Sequence, residues 1–342
     1  MEFSDSTDAL VRLLKPYPAV FVITDRKVCR FVTEPVVEAC AEAGVAIRGV
    51  LQMRISERRK TFRTVCRMLR WLVDAGADRD ALVLAVGGGV TTDLAGFAAC
   101  IYKRGVKYAN VPTTLLSQVD ASTGGKTGFN IGGYKNMAGV IAQPEFTFIN
   151  PDFIRTLPWN EYTAGYAELL KTFIIGDAEA YRKAVGLDNP SDLAPLIRRA
   201  VEIKSSIVER DEFDNGERKM LNLGHTFAHA MEYRSAHCLV RRAIPGERSF
   251  LGLTSHRLSH GHAVAMGVIM AARLSEEKGI AAHGLADTLA SDFDKVGLPT
   301  ECPWTMEQLR GIMKKDKKAE DGSVRFILIH ETGHCEAMNI DL

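Results

Sequence analysis

His225 and His229 stand four residues apart in the run Arg218-Lys-Met-Leu-Asn-Leu-Gly-His-Thr-Phe-Ala-His229. Read as a helix, this run puts both imidazoles on one face, one turn apart, and two neutral ring nitrogens so placed suit a divalent metal. The spacing also fits two unconnected histidines on a polar face, so a third ligand has to come from elsewhere. Two segments offer one. Ala164-Gly-Tyr-Ala-Glu168-Leu-Leu-Lys171 places a carboxylate and a lysine three apart on one helical face, and Ser259-His260-Gly-His262 opens an apolar helix. Glu168, His225 and His260 would make a two-histidine, one-carboxylate set with an open position, the pattern of a catalytic rather than a structural zinc. Taken singly, Glu168 and Lys171 read as an ion pair and His260 as a helix-start residue.

A second chemistry is written earlier in the chain. The apolar run Ala81 to Val86 leads straight into Gly87-Gly-Gly-Val-Thr-Thr-Asp93 and then an apolar helix from Leu94 to Tyr102. Strand, triple glycine and helix together form a phosphate-binding arrangement. The glycines let the backbone come close to a pyrophosphate, and the helix start presents unpaired N–H groups. It is a variant of the usual glycine fingerprint, and a tight strand-to-helix turn is the plainer alternative. Beyond it, Asp120, Lys126, Lys135 and Asn136 sit among Gly124, Gly125, Gly128, Gly132 and Gly133. That mixture suits an anionic ligand, with a solvated loop as the alternative.

The elements that must carry these residues fall into two halves. Ala19 to Asp25, Val45 to Met53 and Ala81 to Val86 are short apolar runs of buried parallel strands. Helices over 35–43 and 57–75 lie between them, each closed by a glycine, so an α/β nucleotide-binding half is expected. After Pro158 the β-type runs nearly stop. Helices are predicted over 161–174, 178–185, 190–213, 217–234, 260–279, 284–296 and 305–315, and Val324 to Ile329 is a late strand, with 334–340 as its candidate hairpin partner. The expected fold is therefore a Rossmann-like α/β domain over 1–160 followed by a mostly helical metal- and substrate-binding domain over 161–342.

Whole-chain totals exclude several function classes. The 342 residues are 46% hydrophobic and 25% charged, an ordinary balance for a globular protein. A net charge of +1 calls for neither nucleic acid nor an anionic membrane, so an anionic ligand must be met by local charge. Seven scattered cysteines without a CxxC pair speak for a reducing compartment and against a thiolate zinc site. No signal-peptide pattern opens the chain and no apolar run reaches membrane-spanning length, so a cytoplasmic protein is expected.

The motifs taken together resemble one family. Gly87-Gly-Gly-Val-Thr-Thr-Asp-Leu-Ala-Gly-Phe-Ala-Ala, Val111-Pro-Thr-Thr-Leu-Leu-Ser-Gln-Val-Asp-Ala-Ser-Thr-Gly-Gly-Lys-Thr-Gly, Ala167-Glu-Leu-Leu-Lys, Leu221-Asn-Leu-Gly-His-Thr-Phe-Ala-His and His260-Gly-His-Ala-Val-Ala resemble the 3-dehydroquinate synthases, within the wider sugar-phosphate cyclase group. The likeness runs from about residue 20 past Asp316-Lys-Lys. It implies cyclisation of 3-deoxy-D-arabino-heptulosonate 7-phosphate to 3-dehydroquinate with loss of phosphate, a step of the shikimate pathway to aromatic amino acids. It also implies NAD used catalytically, a divalent metal (zinc or cobalt), and a homodimer. In the family a ring hydroxyl is oxidised by NAD, phosphate is eliminated, the ketone is reduced back, and the opened ring closes by an aldol step.

Roles carry over by position. The resemblance assigns the metal to Glu168, His225 and His260, and places Lys171 and Asp120 by the substrate hydroxyls. His229 faces the substrate as an orienting or proton-relaying group. Lys204 and Arg218 match a carboxylate-binding pair, and Lys126, Asn136, Asn222 and Lys318 match a phosphate pocket. Arg104 matches an arginine that reaches a neighbouring subunit. Asp25, Glu57, Lys60, Gly89, Val90, Thr91, Thr92, Asp93, Thr113, Thr114, Lys126, Lys135, Phe153 and Thr156 match NAD contacts.

Three departures qualify the likeness. His262 stands where the family commonly has glutamate, as a competing ligand or a neutral replacement for an outer-shell carboxylate. Residues 233–258 form a longer stretch than expected, with five arginines, and Asp214 replaces a glutamate. Rival readings are an amino-dehydroquinate, sedoheptulose 7-phosphate or deoxy-inosose cyclase, a metal-dependent polyol dehydrogenase, and an inactive NAD- or zinc-binding regulator. The sedoheptulose and inosose substrates lack a carboxylate for Lys204 and Arg218, and a dehydrogenase needs no lysine-rich phosphate pocket.

Overall fold

The computed structural model describes residues 1–132, 134–187, 192–238, 258–316 and 323–341. The proposed phosphate contact Lys318 and most of the 233–258 stretch lie outside them. Contacts divide the chain into two compact units, Met1–Tyr162 and Thr163–Leu342.

In chain order the first unit contains β1 (Glu2–Phe3), α1 (Thr7–Leu14), β2 (Val20–Asp25), α2 (Glu34–Glu42), β3 (Ile47–Met53), α3 (Phe62–Asp74), β4 (Leu82–Gly87), α4 (Gly89–Ile101), β5 (Lys107–Pro112), β6 (Lys126–Ile131), β7 (Tyr134–Ile141) and β8 (Phe148–Ile149). Strands β3-β2-β4-β5 form a parallel sheet in that order. Its central strands alternate between two buried faces, as period-2 side chains must. Phe21, Ile23, Val83 and Ala85 pack with Met68 and Leu72 of α3 and Leu94 and Phe97 of α4. Val20, Val22, Leu82 and Leu84 pack on the opposite side with Leu10 and Leu14 of α1 and Val36 of α2. Covering both faces explains the nearly unbroken apolar runs of β2 and β4.

The second unit takes in most of α5 (Trp159–Gly176), then α6 (Ala178–Val185), α7 (Leu193–Arg210), α8 (His225–Cys238), α9 (His260–Glu277), α10 (Leu285–Lys295), α11 (Met306–Asp316) and the antiparallel pair β9 (Ser323–Glu331) and β10 (His334–Asp341). The late hairpin is thus present. It is tied to the helices by Gly333 N–H to the Ile174 carbonyl (2.8 Å) and by Ile329 N–H to Ser275 Oγ (2.9 Å).

Several expectations need correcting. The helix predicted over 217–234 is two elements: a 3-10 turn over Glu217–Asn222, then α8 from His225. The break is Gly224, whose φ of +76° is left-handed. It also lies against Gly267 of α9, where a Cβ would stand 2.2 Å from the Gly224 carbonyl oxygen. The helix predicted over 57–75 starts only at Phe62, after a 3-10 turn at Glu57–Arg59, because Thr61 takes an extended conformation and bridges to Asn130. Helix α4 starts at Gly89, five residues earlier than predicted, so Val90 to Asp93 lie within it. The glycine-rich stretch around Lys126 and Lys135 is the β6–β7 pair rather than an open loop. Strand β5 was hidden in the sequence by its polar start at Lys107 and by Asn110, whose amide N–H bonds to the Phe146 carbonyl.

Candidate active site

In the second unit three helices bring the metal-ligand residues together. A nitrogen or oxygen from each of Glu168, His225 and His260 lies within 4.8 Å of the others. The approach is set by backbone contact. Gly261 lets the first turn of α9 rest on α5, where a Cβ would meet the Ala164 carbonyl oxygen at 1.9 Å, one turn before Glu168. The Gly224–Gly267 contact does the same for the start of α8. Helix packing this close requires residues without side chains at the crossing.

Glu168 is fully buried, and Lys171 Nζ lies 2.6 Å from its Oε2. Its Oε1 has no hydrogen-bond donor among the described residues and faces His260 Nε2 at 3.4 Å. A buried carboxylate oxygen in that condition is costly unless a cation meets it. The histidines are oriented for this. His225 Nδ1 bonds to the Leu223 carbonyl oxygen at 3.1 Å, so Nδ1 carries the proton and Nε2 keeps its lone pair. Burial, then the Lys171 ammonium and the neighbouring imidazoles, push the His225 pKa well below the usual histidine value, which keeps the ring neutral. The His229 ring lies 5.6 Å from that of His225 in edge-on contact and 6.4 Å from that of His260.

His262, expected as a competing ligand or a neutral replacement for an outer-shell carboxylate, does not join the convergent ligand set. Its Nε2 bonds to Thr163 Oγ1 at 2.8 Å, and its backbone N–H is capped by Ser259 Oγ. Lys204 on α7 and Arg218 on the 3-10 turn are buried. The Arg218 guanidinium donates to the Glu212 carbonyl, and Asp211 accepts from the Asn215, Gly216 and Arg218 amides to shape that turn. Asn222 is half-buried on the same turn.

In the first unit the glycine turn stands at the end of β4, where a Cβ on Gly89 would meet that of Ala121 at 2.8 Å. The first turn of α4 offers its amides there. Thr91 Oγ1, in the first turn of α4, and Thr113 Oγ1, whose amide bonds to the Gly87 carbonyl, are buried without a hydrogen-bond partner among the described residues. Beside it runs a polar chain: Asn130 donates to Glu57 (2.7 Å) and accepts from the Asn136 amide (2.8 Å), and Lys60 donates to Asn136 Oδ1 (2.6 Å) and pairs with Asp93. Burial pushes the Asp93 carboxyl up against the pull of Lys60, and Asp120 is near enough to add to the rise. Asn136, expected at a phosphate, therefore sits among residues expected at NAD. Asp25 accepts from the Lys27 and Ile55 amides, and Thr114 bonds to Ser117. Phe153 packs on the core facing α1 and α2, whereas Lys126, Lys135 and Thr156 are exposed. Arg104 is exposed in a left-handed run with Lys103 and Gly105, at φ of +47°, +71° and +116° for residues 103 to 105.

Comparison with known proteins decides the family. The model of the 3-dehydroquinate synthase N-terminal region matches residues 50–164, and that of the C-terminal region matches 165–243 and 249–319. The chain belongs to the 3-dehydroquinate synthase family. The 3-dehydroquinate synthase of Cereibacter sphaeroides is 37% identical over 328 residues, covering 92% of this chain and 84% of that protein. That of Xylella fastidiosa is 40% identical over 298 residues, covering 85% and 77%. Among solved structures, the 2-epi-5-epi-valiolone synthase ValA of Streptomyces hygroscopicus subsp. jinggangensis, with NAD+ and Zn2+ bound, superposes with a TM-score of 0.86 at 25% identity, covering 99% of this chain and 92% of ValA. The fold is that of the sugar-phosphate cyclases.

Glu232 is one residue of this family member that reading the sequence did not single out. It bonds to His260 Nδ1 at 3.2 Å. The signal was present in the spacing: Glu232 lies seven residues after His225 and three after His229, on the same helical face.

Proposed function

We propose that this protein is a 3-dehydroquinate synthase, a carbon–oxygen lyase that cyclises 3-deoxy-D-arabino-heptulosonate 7-phosphate to 3-dehydroquinate and phosphate. The observation that carries the reading is the set Glu168, His225 and His260, brought together in a chain of this family. The set fits a divalent cation, because Glu168 Oε1 is buried without a donor and both imidazoles give their Nδ1 positions to outer acceptors. A bound zinc or cobalt ion would supply Lewis acidity at a substrate hydroxyl, and a bound NAD would take up and return a hydride.

The chain's own groups then divide the work. Lys171 holds Glu168 Oε2 and so keeps Oε1 turned toward the histidines. His229 orients a substrate hydroxyl or moves its proton, and Asp120 serves substrate hydroxyls. Lys204 and Arg218 receive the substrate carboxylate, which a sedoheptulose 7-phosphate substrate lacks. Lys126, Asn222 and Lys318 bind the phosphate, and Asn136, held by Lys60, stands with the NAD group. The first unit holds NAD on the α4 amides and the Thr91 and Thr113 hydroxyls, whose buried oxygens await a partner.

A homodimer is part of the reading. Arg104, raised on its left-handed run, reaches the phosphate of a second copy, and the exposed Ile131, Tyr134 and Met137 of the β6–β7 pair support association. The cytoplasm suits an enzyme in which Cys29, Cys40, Cys66, Cys100, Cys302 and Cys335 are free thiols. No helix among the described residues is long and apolar enough to cross a membrane. Purified protein supplied with NAD and zinc is expected to release phosphate from the heptulosonate 7-phosphate. Phosphate release from sedoheptulose 7-phosphate alone would overturn the assignment.

A further inference from the structure

A neutral imidazole carries one proton, and the acceptor that takes it decides which nitrogen is left to bind a metal. The two histidines of the triad solve this differently. His225 gives its Nδ1 proton to a backbone carbonyl, that of Leu223, which no substitution removes. His260 Nδ1 instead meets a side chain, Glu232 Oε1, at 3.2 Å, while His260 Nε2 looks toward Glu168 Oε1 at 3.4 Å. The Glu232 side chain is only 9% exposed, and that of His260 is 30% exposed. Glu232 is therefore screened from water, and its charge acts on the ring rather than on solvent.

Resting on the metal reading of the triad, we propose that Glu232 is the positioning carboxylate of the metal centre. By accepting the Nδ1 proton of His260 it fixes the tautomer and the ring angle, so that Nε2 points at the cation, and its charge makes that nitrogen a stronger donor. Helix α8 thus does two things for the site: its first residue supplies a ligand, and Glu232, two turns on, aims the ligand that α9 supplies.

The test is metal affinity, measured by competition with a chromogenic chelator on the full-length protein freed of metal and reloaded with zinc. Glu232→Ala is expected to weaken zinc binding by about 10- to 100-fold. Glu232→Gln, which keeps the shape and an acceptor oxygen but not the charge, is expected to fall between it and the parent. With cobalt in place of zinc, the visible absorption bands of Glu232→Ala should shift or lose intensity. The thermal midpoint of the metal-free variants should stay at the parent's, which a merely structural role for Glu232 would not allow. Zinc affinity and cobalt spectrum unchanged in both variants would overturn the proposal while leaving the triad intact. A parent protein that binds no zinc, or a His225→Ala variant that binds it as the parent does, would instead overturn the metal reading and this proposal with it.

Discussion

His225 and His229 are alike in sequence context and one turn apart, yet only His225 belongs to the convergent ligand set. His225→Ala is accordingly expected to lose bound zinc, with affinity down at least about 100-fold, while His229→Ala keeps zinc and loses activity. Atomic absorption on the purified variants, set beside their phosphate release, separates the two, and equal metal loss in both would restore them as a ligand pair. The triad was legible in the sequence because long motifs surround each of its members, not because of spacing alone, which equally fits unconnected histidines. Thr163 was not, because it acts on a histidine 99 residues away, and the helical spacing of Glu232 from His225 named its face but not His260, 28 residues on, as its partner. Nothing local marks such a partner. The partner of His262 was hidden for the same reason, since it is the packing of α5 against α9 that turns it toward Thr163.

At the scale of elements, close helix crossings decide the geometry. Gly261→Ala and Gly267→Ala would each drive a methyl group into a backbone carbonyl, of Ala164 and Gly224 respectively. Each is expected to cost about 2–3 kcal/mol by urea denaturation and to weaken zinc binding as well, since the helices that carry the ligands must part. A variant as stable as the parent would mean that the crossing is softer than its contacts imply. Helix α6 offers a contrast away from the site. Its N-cap, Asp177, accepts from the Glu179 and Ala180 amides and from Arg199. Burial would raise this carboxyl, but the amides and Arg199 outweigh it and hold the group below the usual carboxylate range. Its stabilisation is thus present above the unfolded value of about 4 and fades as pH falls through the lower folded value. Asp177→Ala should cost about 1 kcal/mol at neutral pH, and the gap to the parent should narrow well below pH ~4 in the same denaturation experiment. The elements themselves were legible where the pattern is plain, as in the unbroken apolar runs of β2 and β4 and the helical stretches of α6 and α9. Boundaries failed where tertiary contact overrides local preference: at Gly224, pinned by Gly267, and at Thr61, drawn into a bridge with Asn130.

For the whole molecule, the two units have separate interiors, and the metal-ligand set belongs wholly to the second. Removing zinc should therefore loosen one unit and spare the other. Hydrogen exchange read by mass spectrometry, with and without chelator, is expected to rise in α5, α8 and α9 and to stay unchanged in β2, β4 and β5. A rise spread evenly over both units would show that the cation supports the entire chain. The two-part organisation was readable from where the strand-like runs stop, near Pro158. The late hairpin was readable only as a possibility, because a single apolar run cannot name its partner strand.

That hairpin has a consequence for the order in which the protein is made. Phe326 of β9 packs on Phe227 of α8, its Ile329 amide bonds to Ser275 of α9, and Gly333 after it bonds to Ile174 of α5. One element therefore fastens all three helices that bring the ligands, yet it is translated after every one of them. On the ribosome, the helices that carry Glu168, His225 and His260 lack these three ties until residues 323–333 emerge. Zinc capture is therefore expected late in synthesis, and a chain truncated before Ser323 should bind zinc more weakly than the full chain in a chelator competition.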